Sequence, residues 1–307
     1  MGNLLLDPNF RWVLAGSLLL GASSGAIGAF CLLRKRSLMG DVLAHAALPG
    51  VGAAFLLTGS KEPLPLLAGA AVSGIAGTWC VDFITRHSRV KEETALGLVL
   101  SVFFGIGVVL LTWIQRRGFA GQSGLDSFLF GQSAAMVRQD VVTIAVVSAV
   151  LVAAVALLYK ELKLLCFDPA FGAGLGLPMR FVDGVLTALI VLAVVIGLQA
   201  AGVVLTAALL VTPAVAARYW TRRLPVMLVL SGLFGAASGA AGTVASAVGP
   251  RLPTGPLIVL AATALFLVSL VAAPERGLLA RGWRRWRLRR KAARPDLGSR
   301  GGQGGAR

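Results

Sequence analysis

The sequence predicts an all-α membrane protein that crosses the bilayer many times, and three observations support this prediction. Hydrophobic residues make up 57% of the 307 residues, charged residues make up 14%, and the mean hydropathy is +0.83. Apolar stretches long enough to cross a bilayer recur from end to end. Short clusters of Lys and Arg separate them. One soluble core could not use this much apolar side chain, so we expect lipid to be the solvent.

Nine apolar segments are candidate helices, which predicts about eight or nine transmembrane helices. The first is followed, and not preceded, by basic residues, so it is expected to stay as a helix and not to be removed as a signal peptide. Two boundaries are weak, because Ala200, Ala201 and Gly202 hardly separate their neighbours and Pro49 interrupts the second segment. The predicted segments are 12–33, 38–58, 64–85, 94–114, 140–159, 182–199, 201–219, 224–247 and 254–273.

The positions of the basic clusters predict the orientation. With nine spans, the clusters fall on one side, which is expected to be cytoplasmic because Lys and Arg concentrate in inner loops. The N-terminus is then outside and the C-terminus inside. Residues 115–117 are an exception that this scheme places outside. The clusters on the shared side are 34–36, 86–91, 160–163, 218–223 and the C-terminal tail.

Glycine is frequent and recurs at helical spacing. The first and eighth segments carry it at intervals of three or four residues, which puts small side chains on one helix face. Such faces let helix backbones approach closely, so these segments are expected to pack as a dense bundle. The glycines concerned are Gly21, Gly25 and Gly28, and Gly232, Gly235, Gly239 and Gly242.

The net charge of +16 does not indicate a nucleic-acid partner. Eleven of the 29 Lys and Arg residues lie at or after Arg276, directly after a predicted span. A basic tail in that position, with Trp283 and Trp286, is expected to bind anionic lipid headgroups or to be disordered. We therefore predict a transmembrane domain over 1–277 and a basic tail over 278–307.

Asp41 and His45 stand out because they lie four residues apart within one apolar segment. At that spacing, both side chains leave the same face of a helix about one turn apart. Ionisable residues inside a membrane segment commonly mark a pathway or a site, and carboxylate with imidazole suits divalent zinc, manganese or iron. The alternative is structural: Asp41 caps the helix and His45 hydrogen-bonds to a neighbouring helix.

Other chemistry is not indicated by the sequence. No phosphate-binding loop, nucleophile elbow or H-E-x-x-H motif is present, so nucleotide hydrolysis by this chain is not expected. Cys31, Cys80 and Cys166 are far apart and are expected to be small apolar filler. His87 is expected to be a solvated loop residue. We predict no resident cofactor and no enzymatic activity.

The segment 160–180 is the longest cytoplasmic connection in this scheme. Asp168 followed by Pro169 is typical of a helix start, and the Gly-rich sequence before Met179 is typical of a stop. We expect a helix of about two turns that exposes Phe171 and Leu175. It is either an ordinary surface connector or a docking element for a cytoplasmic partner.

Five motifs resemble the ABC-type zinc, manganese and iron uptake permeases. These are the membrane subunits that work with a separate ATPase and with an extracytoplasmic metal-binding protein. The resemblance runs in order from about Trp12 to Gly277. The motifs are "RKRSLMGDVLAHAALPGVGAAFLL" (34–57), "LDSFLFG" (125–131), "FDPAFGAGLGLP" (167–178), "AGVVLTAALLVTPAVAA" (201–217) and "PTGPLIVLAATALFLVSLVAAPERG" (253–277).

The resemblance implies a bundle like that of type II ABC importers in the bacterial cytoplasmic membrane, and it implies two sites. Asp41 and His45 fall on metal-coordinating positions of the channel, and 167–178 falls on the coupling helix that docks on the ATPase. Ala44 stands where the family often has serine, and the coupling segment is unusually rich in glycine. The coupling residues are Phe167, Asp168, Pro169, Phe171, Leu175 and Gly176.

One acid and one imidazole are few ligands for a metal, so a homodimer that supplies two of each is expected. Two other classes of protein compete with this interpretation. A secondary transporter would use the membrane acid as a proton site, and it would need neither a docking element nor an ATPase. A membrane scaffold would have no use for the Asp41 and His45 pair.

Overall fold

The computed structural model describes residues 8–59, 62–117, 136–248, 252–274 and 277–279. The motif at 125–131 and the tail after residue 279 lie outside the described residues. Within these ranges the secondary structure is helical, and eight helices are long and apolar enough to cross a membrane. The predicted all-α, multi-span fold is therefore confirmed. In chain order the helices are α1 Pro8–Leu33, α2 Met39–Thr58, α3 Pro63–His87, α4 Glu92–Arg116, α5 Arg138–Leu157, α6 Tyr159–Phe167, α7 Pro169–Gly174, α8 Met179–Trp220, α9 Leu224–Val248 and α10 Thr254–Ala272.

Several helices differ in length from the predicted segments. Helix α2 continues through Pro49. The proline removes only one backbone hydrogen bond, and the helices packed around this position allow the helix to continue. Helix α3 extends to His87, whose ring stacks on Phe83 with centroids 4.4 Å apart, so this histidine ends a helix and does not lie in a loop. Helix α6 occupies a stretch that was expected to be part of a cytoplasmic connection.

Helix α8 is two helical arms joined by a sharp turn at Gly202. This glycine has φ 78° and ψ 173°, a conformation that residues with a side chain rarely adopt. A Cβ placed on Gly197 would lie 2.6 Å from the Thr206 methyl carbon. In a straight helix these residues would be separated by about 13.5 Å along the axis. The chain therefore reverses direction, and the arms 179–201 and 203–220 correspond to two of the predicted segments.

Helices α1 and α9 pack antiparallel with their backbones in contact through small residues. Gly21 faces the backbone of Gly235, and Gly25 faces the backbone of Ser231, whose hydroxyl donates to the Gly25 carbonyl. The next glycine of this face, Gly28, lies against Leu210 in the second arm of α8. This close approach confirms the dense packing that the glycine spacing predicted.

The α1/α9 contact gives a testable prediction about stability. Gly21→Ala would push a methyl group into the Gly235 carbonyl, a backbone atom that cannot move aside alone, and should destabilise the fold by about 1–3 kcal/mol. Gly184→Ala is the matched control, because a Cβ at this exposed helical position meets no atom within 4 Å. Thermal unfolding of the purified proteins in one detergent should separate the two, and equal midpoints would contradict the packing argument.

Several helices meet at one end of the bundle through the α1–α2 loop. From this loop, the Arg36 side chain pairs with Asp82 near the end of α3 and with Glu92 at the start of α4. Arg34 pairs with Asp183 at the start of α8. The basic clusters at 34–36 and 86–91 therefore occupy the same end, as predicted. Helix α4 runs from this end to residue 116, so residues 115–117 lie at the other one.

Candidate functional site

Asp41 and His45 lie in the first two turns of α2, at the end of the bundle that carries the basic clusters. Asp41 Oδ1 and His45 Nε2 are 3.4 Å apart, longer than an ordinary hydrogen bond. A tetrahedral metal with bonds of about 2.1 Å holds its donor atoms about 3.4 Å apart. The predicted pair therefore comes together on one face, at a spacing that a single metal ion can bridge.

The surroundings of this pair leave one side open. The Asp41 side chain is 45% exposed and that of His45 is 22% exposed. The His45 ring meets Phe104 of α4 edge to face, with centroids 4.9 Å apart, and this contact orients the imidazole. Within the described part of the chain, His45 Nδ1 is buried and has no hydrogen-bond partner. The structural alternative, a hydrogen bond from His45 to a neighbouring helix, thus finds no support among these residues.

Asp41 does not serve as the N-cap of α2. Helix α2 begins at Met39, and its N-cap residue Leu38 makes no side-chain cap bond. Asp41 lies inside the first turn, where its negative charge interacts favourably with the positive end of the helix dipole. This position stabilises the helix without occupying both carboxylate oxygens, so Asp41 remains able to act as a ligand.

The described residues supply only two donors to this site. No cluster of three or more His, Cys, Asp or Glu residues that could hold a metal ion occurs in the described ranges. Structural metal sites use four protein ligands, and catalytic ones commonly use three. Two donors from one chain fit transient binding better than permanent storage of an ion.

The second predicted site is the short helix α7. Asp168 is its N-cap, and the Asp168 carboxylate accepts a hydrogen bond of 2.9 Å from the Phe171 N–H, with Pro169 in the first turn. Leu175 ends the helix, and Gly176 follows with a φ of 81°. The capped helix that the sequence predicted is confirmed, although it spans only six residues.

Helix α7 presents an apolar surface to its surroundings. Phe167, Phe171 and Leu175 are all exposed, whereas Gly172 is buried against the side chain of Met179. This contact holds α7 to the start of α8 and turns its large apolar side chains outward. Exposed apolar side chains in a cluster are typical of a surface that binds another protein.

The acidic partners of the basic cluster at 34–36 were not predicted from the sequence. The cluster predicts orientation, and in the structure Arg34 and Arg36 also reach Asp183, Asp82 and Glu92. A signal was present, because all three acids lie near the ends of predicted segments on the same side as the cluster.

Cys166 lies next to this charged group, near the end of α6. Burial raises the pKa of the Cys166 thiol to about 11, even though the nearby Arg34 guanidinium acts in the opposite direction.

Comparison with known proteins gives relatives for almost the whole chain. The manganese transport system membrane protein MntC of Bacillus subtilis is 56% identical over 293 residues, which cover 95% of this chain and 67% of that protein. The zinc transport system membrane protein TroC of Treponema pallidum is 47% identical over 285 residues, which cover 93% of this chain and 96% of that protein.

A solved structure has the same architecture. The structure of PsaBC from Streptococcus pneumoniae in complex with Fab matches with a TM-score of 0.80 and 30% identity, over 92% of this chain and 98% of the matched chain. The ABC 3 transport family matches residues 7–273, which include α1 to α10 and both candidate sites. The chain therefore belongs to the ABC 3 transport family, as its resemblance to the ABC-type metal uptake permeases indicated.

Proposed function

We propose that this chain is the membrane subunit of an ATP-driven importer that carries a divalent metal ion into the cell. The observation that carries the proposal is the pair of Asp41 and His45, with donor atoms 3.4 Å apart on an otherwise apolar helix. We propose manganese or zinc as the transported ion, since the names of the two relatives specify these metals. Iron(II) accepts the same donors.

The metal path is proposed to lie between two copies of the chain. A naked dication cannot enter the bilayer centre without replacement ligands, and the described residues of one chain offer two of them at this site. Two copies around a two-fold axis would supply two Asp41 and two His45 side chains. The exposure of Asp41 supports this arrangement, because its carboxylate is accessible from outside the protomer. Phe104, next to His45, is also partly exposed.

The face of α4 beside the metal pair suits a second copy. Gly97, Ser101 and Phe104 lie on one helical face, and all three are exposed. A Cβ on Gly97 would meet no atom within 4 Å, so this face is open in the single chain. Small residues on a helix face permit close approach of another helix in a membrane. The proposed homodimer would bury this face together with Asp41.

Helix α7 is proposed to dock on a separate ATPase subunit in the cytoplasm. The residues assigned to this contact are Phe167, Asp168, Pro169, Phe171, Leu175 and Gly176. Three observations support the proposal: a helix fixed by its Asp168 cap, exposed apolar side chains, and a position beside the basic clusters that predict the cytoplasmic side. An ATPase is needed because the sequence has no nucleotide-binding motif.

The surroundings of the protein follow from the same proposal. It is a multi-pass protein of the bacterial cytoplasmic membrane. With the two arms of α8 counted as two crossings, as in the nine predicted segments, the N-terminus lies outside and the C-terminus in the cytoplasm. A metal-binding protein would deliver the ion from outside. The basic tail 278–307, most of which lies outside the described residues, is proposed to contact lipid headgroups.

Reconstitution tests the assembly directly. Liposomes that contain this chain, the ATPase subunit and the external metal-binding protein should take up radioactive manganese or zinc when ATP is supplied. Liposomes with this chain alone should show no ATP-dependent uptake, because the chain has no means to hydrolyse ATP. Uptake by the chain alone would contradict the proposal, and uptake driven by an ion gradient would favour a secondary transporter.

A further inference from the structure

The loop between α1 and α2 has a fixed shape. The Arg36 N–H donates to the Cys31 carbonyl at 3.0 Å, and the Cys31 thiol donates to the Arg36 carbonyl at 2.8 Å. Lys35 adopts a left-handed conformation with φ 60°. The Met39 N–H then donates a hydrogen bond to the Arg36 carbonyl, so the loop is hydrogen-bonded to the first residue of α2. The Lys35 side chain is exposed, while Arg34 and Arg36 are partly buried.

Arg34 joins the two flanks of the α7 segment. Its Nη1 donates to the Leu165 carbonyl at 3.2 Å, and its Nη2 donates to Asp183 Oδ1 at 2.8 Å. Leu165 precedes Asp168 by three residues, and Asp183 lies in the second turn of α8. One planar guanidinium therefore closes the base of the segment that carries α7, a geometry that a lysine ammonium cannot reproduce with the same rigidity.

Arg36 extends this connection to two more helices. Its Nη1 is 3.5 Å from Asp183 Oδ2, so the Asp183 carboxylate is shared between the two arginines. Its Nε is 2.7 Å from Glu92 Oε1, and its Nη2 is 3.9 Å from Asp82 Oδ1. We refer to Arg34, Arg36 and Asp183 as the arginine clamp.

The clamp is built differently from an ordinary surface ion pair. The exposed fractions of the Arg34, Arg36 and Asp183 side chains are 22%, 17% and 21%. Exposed pairs contribute little because water screens them, whereas a partly buried group whose partner is removed is left with an uncompensated charge. Removing one member should therefore disturb the others, and with them the helices that they join.

We infer that the arginine clamp is a positioning device that transmits movement of the α7 segment to the helix that carries Asp41 and His45. The inference builds on the proposed function, in which α7 contacts the ATPase. Arg36 precedes Asp41 by five residues, and the Arg36 carbonyl accepts a hydrogen bond from the first residue of α2. A displacement of Leu165 and Asp183 would thus act through Arg34 and Arg36 on the start of α2, and so on the metal ligands.

The ratio of metal ions transported to ATP molecules hydrolysed tests this inference in the reconstituted complex. In Arg34→Gln, ATP hydrolysis should continue while the ratio falls by about 10-fold, within the usual range for coupling between two sites. Lys35→Gln is the matched control: it removes a neighbouring charge whose side chain is exposed, and it should keep the ratio within about twofold of the wild type. Each preparation is normalised to the amount of assembled complex.

A purely structural role predicts a different result. Transport and hydrolysis would then fall together with the amount of folded complex, and an unchanged ratio in Arg34→Gln would overturn the inference. The double variant Arg34→Gln with Asp183→Asn should lose less than the sum of the two single losses, because both changes break the Arg34–Asp183 contact, although each also removes one other contact, to Leu165 and to Arg36. Fully additive losses would also overturn it.

Two further measurements complete the test. If Arg34→Gln does not assemble, Arg34→Lys keeps the charge but loses the fork that holds Leu165 and Asp183 together, and its ratio should still fall; a wild-type ratio in that variant overturns the inference. The wild-type complex separates the two proposals. Absence of ATP-dependent uptake by the wild type refutes the proposed function, whereas normal wild-type uptake with a normal Arg34→Gln ratio refutes only the clamp.

Discussion

Asp41→Asn and His45→Leu are each expected to abolish metal uptake while the protein still inserts into the membrane and forms its complex. The first change keeps the size and removes the charge, and the second keeps bulk and removes both ring nitrogens. Because the described residues of each chain supply two donors, losing one should lower uptake by more than the roughly 10–100-fold that loss of an outer-shell partner costs. Uptake of radioactive manganese or zinc at matched expression measures the effect.

The control for this experiment is Glu93→Gln. Glu93 is an exposed carboxylate in the first turn of α4, at the same end of the bundle, and no role in the metal path is proposed for it. Its loss should leave uptake within about twofold of the wild type. If the pair were only structural, neutralising Asp41 would be tolerated or even stabilising, and wild-type uptake by Asp41→Asn would refute the metal-site assignment.

Leu175→Asp should uncouple the transporter by placing a charge in the proposed ATPase contact. Burial of an exposed leucine at an interface contributes about 1.5–3 kcal/mol, so its loss should weaken ATPase binding by about 10-fold to 100-fold. Deletion of 167–178 should abolish both binding and uptake. Copurification of the ATPase and ATP-dependent uptake are the two measurements.

Leu278→Asp is the matched control for this change. Leu278 is also an exposed leucine, it follows α10, and it is remote in sequence from α7. It should copurify with the ATPase as well as the wild type does. Normal transport after the deletion of 167–178 would show that α7 is an ordinary connector.

The architecture could be predicted from the sequence because the membrane imposes strong rules. Spanning helices must satisfy their own backbone hydrogen bonds, so apolar length alone identifies them. The distribution of Lys and Arg then identified the shared end. The turn at Gly202 was the weakest boundary, since one glycine between two apolar stretches can either continue a helix or reverse it. Only the contact between Gly197 and Thr206 decides for the reversal.

The candidate site could be predicted only in part. The i, i+4 spacing of Asp41 and His45 placed them on one face, because that relation depends on local geometry. The contact of His45 with Phe104 and the meeting of Arg34 with Asp183 join residues far apart in the chain. The positions of the charged residues show which helix ends share a side of the membrane but not which of those ends are neighbours, so these contacts required the three-dimensional structure.

The reversal at Gly202 also has a consequence for biosynthesis. The 42 residues of α8 contain no hydrophilic loop between the two arms. The carbonyl of Gly202 accepts a hydrogen bond of 2.7 Å from the Thr206 hydroxyl, so part of the turn's polar backbone is satisfied within the chain. A growing chain therefore has no polar segment to leave on the far side of the bilayer between these arms. Because irregular backbone at membrane depth is tolerated only where protein encloses it, we expect the two arms to enter the bilayer and to pack against the rest of the bundle as one unit.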